Sequence, residues 1–162
     1  MLKNLNKIGE IEKIVVNAGI GRLRQQGQFE EKILPGIIQE LGLITGQKPI
    51  ARLAKKAIAG FKTRTGDIIG LKVTLRGKRM SDFLTRFINA VLPRIKDFRG
   101  LELKSIDSGG NLSVGIEDHF VFPEIDADKS KVDFGLEATI VPKTKNREKA
   151  IELYREIGIP LK

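Results

Sequence analysis

A chain of 162 residues is long enough for one domain with a real core, and 41% hydrophobic against 30% charged residues is an ordinary globular balance. The chain has no cysteine, which rules out disulfides and thiolate metal sites and suits a reducing interior, so a cytoplasmic address is expected. No apolar run is long enough to span a bilayer, and Met1-Leu2-Lys3-Asn4-Leu5-Asn6-Lys7 lacks the apolar stretch and cleavage site of a secretory signal. The formal net charge is +9, and its placement says more than its size. Between Lys48 and Lys104 there are 15 basic and 4 acidic residues, whereas the rest of the chain holds 14 basic and 16 acidic. A surplus confined to the middle third favours a polyanion footprint over an evenly solvated surface.

In chain order, the β-branched run Ile11-Glu12-Lys13-Ile14-Val15-Val16-Asn17 reads as a strand, closed by a turn at Ala18-Gly19-Ile20-Gly21. Phe29, Ile33, Ile37 and Leu41 keep a four-residue spacing that predicts a helix to about Ile44. Pro35 removes a backbone donor, so either a kink or a fresh helix start is expected there. Gly46 stops the helix, and Gln47-Lys48-Pro49-Ile50-Ala51 reads as a short strand.

Arg52 to Gly70 is basic and punctuated by glycine, with no sustained period, and reads as a long mobile loop. Leu71, Val73 and Leu75 then alternate with Lys72, Thr74 and Arg76, a strand with one face in the core. Met80, Phe83, Leu84, Phe87, Ile88 and Val91 trace the clearest amphipathic helix, ended by Pro93. Two further strands follow: Leu112, Val114 and Ile116, after the Ser108-Gly109-Gly110-Asn111 turn, then Phe134, Leu136, Ala138 and Ile140. Asn146 caps a last helix carrying Ala150, Leu153, Tyr154 and Ile157 on one face, closed by Gly158 and Pro160. The fold class expected is α+β: residues 1–162 form a single domain with one antiparallel or mixed sheet. Amphipathic helices pack on one face of that sheet, and the long basic loop projects from it.

Catalytic chemistry finds no residues to stand on. His119 is the only histidine and lies beside Phe120-Val121-Phe122, where packing is the natural role. Without cysteine or a second histidine, no Cys/His nucleophile pair or metal cluster can be built, so neither metal nor cofactor is expected. The acids Glu117, Asp118, Glu124, Asp126 and Asp128 lack the EF-hand pattern and read as a solvated turn. Gly19-Ile20-Gly21 has Arg24 where a dinucleotide fingerprint needs its third glycine, so a plain tight turn is the better reading.

Recognition chemistry remains. Lys72, Thr74 and Arg76 lie on the outward side of one strand at roughly 7 Å intervals, which suits RNA phosphates and 2′-hydroxyls. Phe61, between Gly60 and Lys62, either stacks on an exposed base or folds back as a loop anchor. A membrane-surface protein would need a basic amphipathic helix with exposed apolar residues, but the helix from Met80 to Val91 faces a core. An RNA-modifying enzyme would need a pocket or general base that the sequence does not offer.

Several strings, in order, resemble the large-subunit ribosomal protein five family, which binds 5S rRNA. They are Glu12-Lys13-Ile14-Val15-Val16-Asn17, Ile44-Thr45-Gly46-Gln47-Lys48-Pro49, Ala54-Lys55-Lys56-Ala57-Ile58, and Ile69-Gly70-Leu71-Lys72-Val73-Thr74-Leu75-Arg76-Gly77. Leu92-Pro93-Arg94-Ile95-Lys96-Asp97-Phe98-Arg99-Gly100-Leu101, Gly110-Asn111, Phe122-Pro123-Glu124-Ile125 and Gly158-Ile159-Pro160 continue the match. The Phe-Pro-Glu-Ile string looks bacterial or organellar.

The resemblance implies a structural constituent of the large ribosomal subunit that holds 5S rRNA in the central protuberance through a sheet face. That face would include Asn17, Gln47, Lys72, Thr74 and Arg76. It also implies a loop reaching P-site tRNA, with Lys55, Lys56, Phe61, Lys62 and Arg64 near the tRNA elbow. The implied partners further include 23S rRNA, neighbouring large-subunit proteins and small-subunit protein thirteen, with no membrane contact. Two departures stand out. Bacterial relatives usually carry a helical segment ahead of the first strand, whereas this sequence begins almost at that strand, and their Gly-Arg-Gly-Asn turn is Gly-Gly-Asn here, so any contact made through that arginine is not expected.

Overall fold

The computed structural model describes residues 4–162; the first three residues of the N-terminal string read for a signal lie outside it. Five strands form one sheet: β1 (Ile11–Gly19), β2 (Ile50–Leu53), β3 (Ile68–Leu75), β4 (Leu112–Ile116) and β5 (Leu136–Pro142), in the order β2-β3-β1-β5-β4. Every pairing is antiparallel, which settles the choice between an antiparallel and a mixed sheet. Alternation decides the two faces, because successive strand side chains point to opposite sides. Ile14, Val16 and Ala18 of β1, Leu71, Val73 and Leu75 of β3, and Leu136, Ala138 and Ile140 of β5 are buried on one side. Among the described residues no helix covers the other side, where Asn17 and Glu137 are exposed and Lys72, Thr74 and Thr139 partly so.

Three helices cover the buried face: α1 (Leu34–Thr45), α2 (Gly77–Arg86) and α3 (Arg147–Ile157). Phe29–Ile33 forms a wider π-type turn that passes directly into α1 at Leu34, and Pro35 lies in the first turn of α1. Pro35 thus sits where π-type spacing gives way to a new α-helical segment, with no break in the helical backbone. Gly46, at φ 69°, ends α1. The apolar stripe of α2 runs on through a second π-type turn, Phe87–Val91, before Pro93 enters a 3₁₀ turn. Met80, Phe83, Leu84, Phe87, Ile88 and Val91 are all buried, as their spacing predicts. Asn146 caps α3 as expected, its side chain accepting the Lys149 N–H at 3.0 Å.

The Gly110-Asn111 turn serves packing. Asp107 accepts from the Asn111 backbone at 2.9 Å and its side-chain amide at 2.8 Å. The Tyr154 hydroxyl of α3 donates to the Gly110 carbonyl at 2.6 Å, and burial raises its pKa above the ordinary phenol value. Gly110 has φ +84°, and a Cβ there would lie 2.8 Å from the Ala150 Cβ, so only glycine lets this turn approach α3.

Several strand boundaries differ from the sequence reading, and β1 runs on through Ala18 and Gly19, which were expected in a turn. The second strand starts at Ile50, because Pro49 has no N–H for a ladder and is itself buried. The fifth starts at Leu136: Phe134 instead stacks on His119 with ring centroids 4.0 Å apart.

Candidate nucleic-acid interface

The stretch expected as a loop from Arg52 to Gly70 is shorter and more ordered than that. Arg52 pairs with Gly70 and Leu53 with Ile68, so both ends belong to the ladder. The remaining 54–67 segment is a hairpin tip. Ala54 N–H donates to the Asp67 carbonyl at 2.8 Å, Gly66 N–H to the Ala54 carbonyl at 2.9 Å, and Ile58 bridges Thr63. Asp67 locks its base: the carboxylate accepts the Arg64 N–H and pairs with Arg24. The Arg64 N–H, helped by the Arg24 guanidinium, holds this carboxyl below its usual range although desolvation works the other way. The only acid of the hairpin is therefore neutralised, and Lys55, Lys56, Lys62 and Arg64 stand exposed on it. Phe61 is 69% exposed, which decides against a core anchor.

The bare face of the sheet brings the other candidates together. Asn17 of β1 is exposed and sits directly opposite Lys72 of β3, with Ile50 of β2 on the other side of Lys72. The next row sets Thr74 opposite Val15, and Val15 opposite Thr139. Arg76 follows at the end of β3, exposed and in extended backbone at the N-terminal cap of α2. Gln47 reaches this corner from the end of α1: its amide donates to the Thr74 carbonyl at 3.3 Å and its oxygen accepts from Arg79 at 3.3 Å.

Gln47 is thus a positioning residue as well as a surface amide, and Arg79 is a cation that the sequence reading missed. The signal was available in Gly77-Lys78-Arg79, but counting the helix from its first apolar residue, Met80, left these positions outside it. Arg52 was missed too: it lies on the bare face, in register with Gly70. Charge is graded across the sheet. The β2-β3-β1 half carries Arg52, Lys72, Arg76 and Arg79, whereas the β5-β4 half presents Glu137, Thr139 and Ser113. Such a row of cations, an amide and a hydroxyl on a rigid platform suits phosphates and sugar hydroxyls.

The remaining polar residues build structure. His119 is fully buried; its Nε2 lies 2.9 Å from Glu40 of α1 and its Nδ1 3.3 Å from Asp133. Asp118 and Asp133 come within 4.8 Å of its ligand atoms, but Asp118 already caps the Phe120 N–H at 2.8 Å. Glu124 is not part of a solvated turn as the sequence suggested: it pairs with Arg86 at 2.9 Å, and Arg86 also donates to the Ile44 carbonyl at 3.1 Å. Gly19 is not part of a tight turn as the sequence suggested: it is the last residue of β1, paired with Gly70, and the chain turns at Gly21-Arg22 after the buried Ile20.

A helix-backed antiparallel sheet with a bare, basic half is a platform for a polyanionic partner. The family model described as "Ribosomal protein L5" matches residues 4–64, and that described as "ribosomal L5P family C-terminus" matches 68–161. The chain is 48% identical to the large ribosomal subunit protein uL5 of Chlorobaculum tepidum over 160 residues, covering 99% of this chain and 85% of that one. It is 45% identical to uL5 of Halothermothrix orenii over 158 residues, 98% of this chain and 86% of that one. With uL5c of Stigeoclonium helveticum the identity is again 45%, over 99% of this chain and 87% of the relative. The chain belongs to the ribosomal protein L5 family. It is a structural constituent of the large ribosomal subunit, associated with rRNA and other ribosomal components, and not an enzyme. No described helix is long and apolar enough to cross a membrane.

Proposed function

We propose that the bare sheet face binds 5S rRNA in the central protuberance, through Asn17, Gln47, Lys72, Thr74 and Arg76 assisted by Arg79. The observation that carries this reading is the register. Asn17, Lys72, Thr74 and Val15 occupy adjacent rows of a face that no helix covers, with Gln47 and Arg79 joined at its corner. The hairpin tip, with Lys55, Lys56, Phe61, Lys62 and Arg64, extends toward P-site tRNA, supported by its exposed and unneutralised cations. Contacts to 23S rRNA, neighbouring large-subunit proteins and small-subunit protein thirteen complete the role. The whole of 1–162 acts as one unit, since β1 and β2 interleave with β3 and β5 in one sheet.

Electrophoretic titration with 5S rRNA, against a hairpin RNA of matched charge, tests this function. Preference for 5S rRNA supports it, and equal affinity for the two overturns it, because phosphate attraction alone carries no sequence or shape information.

A further inference from the structure

Between the hairpin tip and the end of β1 lies a groove of about 770 Å³, within the range of small-ligand sites. Its walls are apolar and unusually exposed: Phe61 is 69%, Ile58 51% and Ile69 37% accessible. Its floor is Gly19 and Gly21, so no side chain fills it. A Cβ at Gly19 would meet nothing within 4 Å, and one at Gly21 only the Ile69 carbonyl oxygen at 3.8 Å. Arg22, Lys55 and Lys56 line the rim, no acid lines it, and Gln25 and Thr63 add polar groups. Gly19 continues the bare sheet face two residues beyond Asn17, so the groove opens where that face ends.

We propose that this groove receives a single unstacked nucleobase from a looped RNA, resting on the reading that the hairpin contacts RNA. The base lies against Phe61, Ile58 and Ile69, its edge reaches Gln25 or Thr63, and its flanking phosphates meet Lys55, Lys56 and Arg22. Three features favour this occupant: apolar walls suit a ring face, a glycine floor admits a flat group, and an all-cationic rim matches a phosphate chain. A duplex cannot use the groove, because its bases are stacked and paired.

The test is fluorescence anisotropy of the full chain with two hairpin RNAs of equal phosphate number, one with an unpaired purine loop and one closed by pairing. The wild type should prefer the open loop by about five- to hundred-fold, the range for one stacked base. Gly19→Val fills the floor without touching the core, and Phe61→Ala removes a wall. Each should abolish the preference and melt like wild type, and Gly19→Val should leave affinity for the paired hairpin within about two-fold. Lys55→Ala with Lys56→Ala should weaken both RNAs together. A wild type with no loop preference, or one that survives both Gly19→Val and Phe61→Ala, overturns the groove assignment but leaves an electrostatic hairpin contact standing. Failure to bind either RNA overturns the hairpin's RNA role as well.

Discussion

The sheet face and the hairpin tip are both basic, yet they are built in opposite ways. Each candidate on the sheet sits one residue from a core side chain: Thr74 lies between Val73 and Leu75, Lys72 between Leu71 and Val73, and Asn17 between Val16 and Ala18. Their spacing is fixed by the ladder, and their orientation follows from packing they do not themselves provide. The hairpin tip has almost no packing of this kind. Apart from buried Ala54 and the Asp67 lock, it is held by its own backbone bonds, and its apolar residues Ile58 and Phe61 face solvent. A rigid row of donors can discriminate shape, whereas a projecting cationic tip reaches and attracts. Charge counting treats them as one patch; burial separates them.

The largest contrast should be in stability. Leu75→Ala removes a fully buried side chain beneath the sheet face and should cost about 2–5 kcal/mol in chemical denaturation. Phe61→Ala on the hairpin should stay within about 0.5 kcal/mol of wild type. Equal losses would mean that the hairpin is integral to the core and the contrast fails.

The next effect is on binding. Arg76→Ala should weaken 5S rRNA by about ten-fold or more, as expected for a lost hydrogen bond to a charged partner of roughly 1.5–3 kcal/mol, with an unchanged melting temperature. Gln47→Ala should lose less, because a neutral amide contact is weaker than a charged one, although it also frees Arg79 and the Thr74 carbonyl. If Gln47→Ala exceeds Arg76→Ala, the amide itself is the principal contact. Smaller still is the salt response: Lys72→Ala should reduce the slope of log K against log salt by about one contact. An unchanged slope would take Lys72 out of the interface.

Much of the architecture was legible because its elements bury one side. β3, α2 and α3 each write their period into apolar positions, and the caps Asn146 and Gly46 are residues whose chemistry announces a boundary. β2 was misplaced for the converse reason. All four of its residues are exposed, so no alternation marks it, and its ladder is dictated by β3 and not by its own side chains. Ending that strand at Ala51, with Arg52 and Leu53 left out of it, turned an ordered hairpin into a long loop. Of the five residues proposed for the sheet face, alternation singles out Lys72, Thr74 and Arg76 and the resemblance adds Asn17 and Gln47, but the link from Gln47 to Arg79 spans 32 residues and no local pattern records it. His119 looked unremarkable from sequence, and its partner Glu40 lies 79 residues away.

The smallest effect concerns the Asp67 lock. Its carboxyl titrates lower in the folded protein than its ordinary value of 3.8. Its contribution is therefore fully present above that ordinary value and is lost as pH falls through the folded one. Hydrogen exchange of the 54–67 amides should be protected equally at pH 7 and 5 after correction for intrinsic rates, and should loosen only below about pH 4. Asp67→Asn should reproduce the loosening at neutral pH without changing protection in β1. Loss of protection across the whole sheet would show that the lock serves the core and not the tip.

The division of labour between face and tip is tested most directly by one parallel titration of 5S rRNA with three proteins at fixed salt. These are wild type, Arg76→Ala, and a tip variant with Lys55, Lys56, Lys62 and Arg64 all changed to Gln. The tip variant should keep its preference for 5S rRNA over a charge-matched hairpin, losing only affinity common to both RNAs, while Arg76→Ala loses the preference itself. Assembled into ribosomes, the tip variant should instead weaken P-site tRNA retention. If the tip variant loses 5S rRNA preference as completely as Arg76→Ala does, and tRNA retention stays normal, the two regions form a single patch and the account is contradicted.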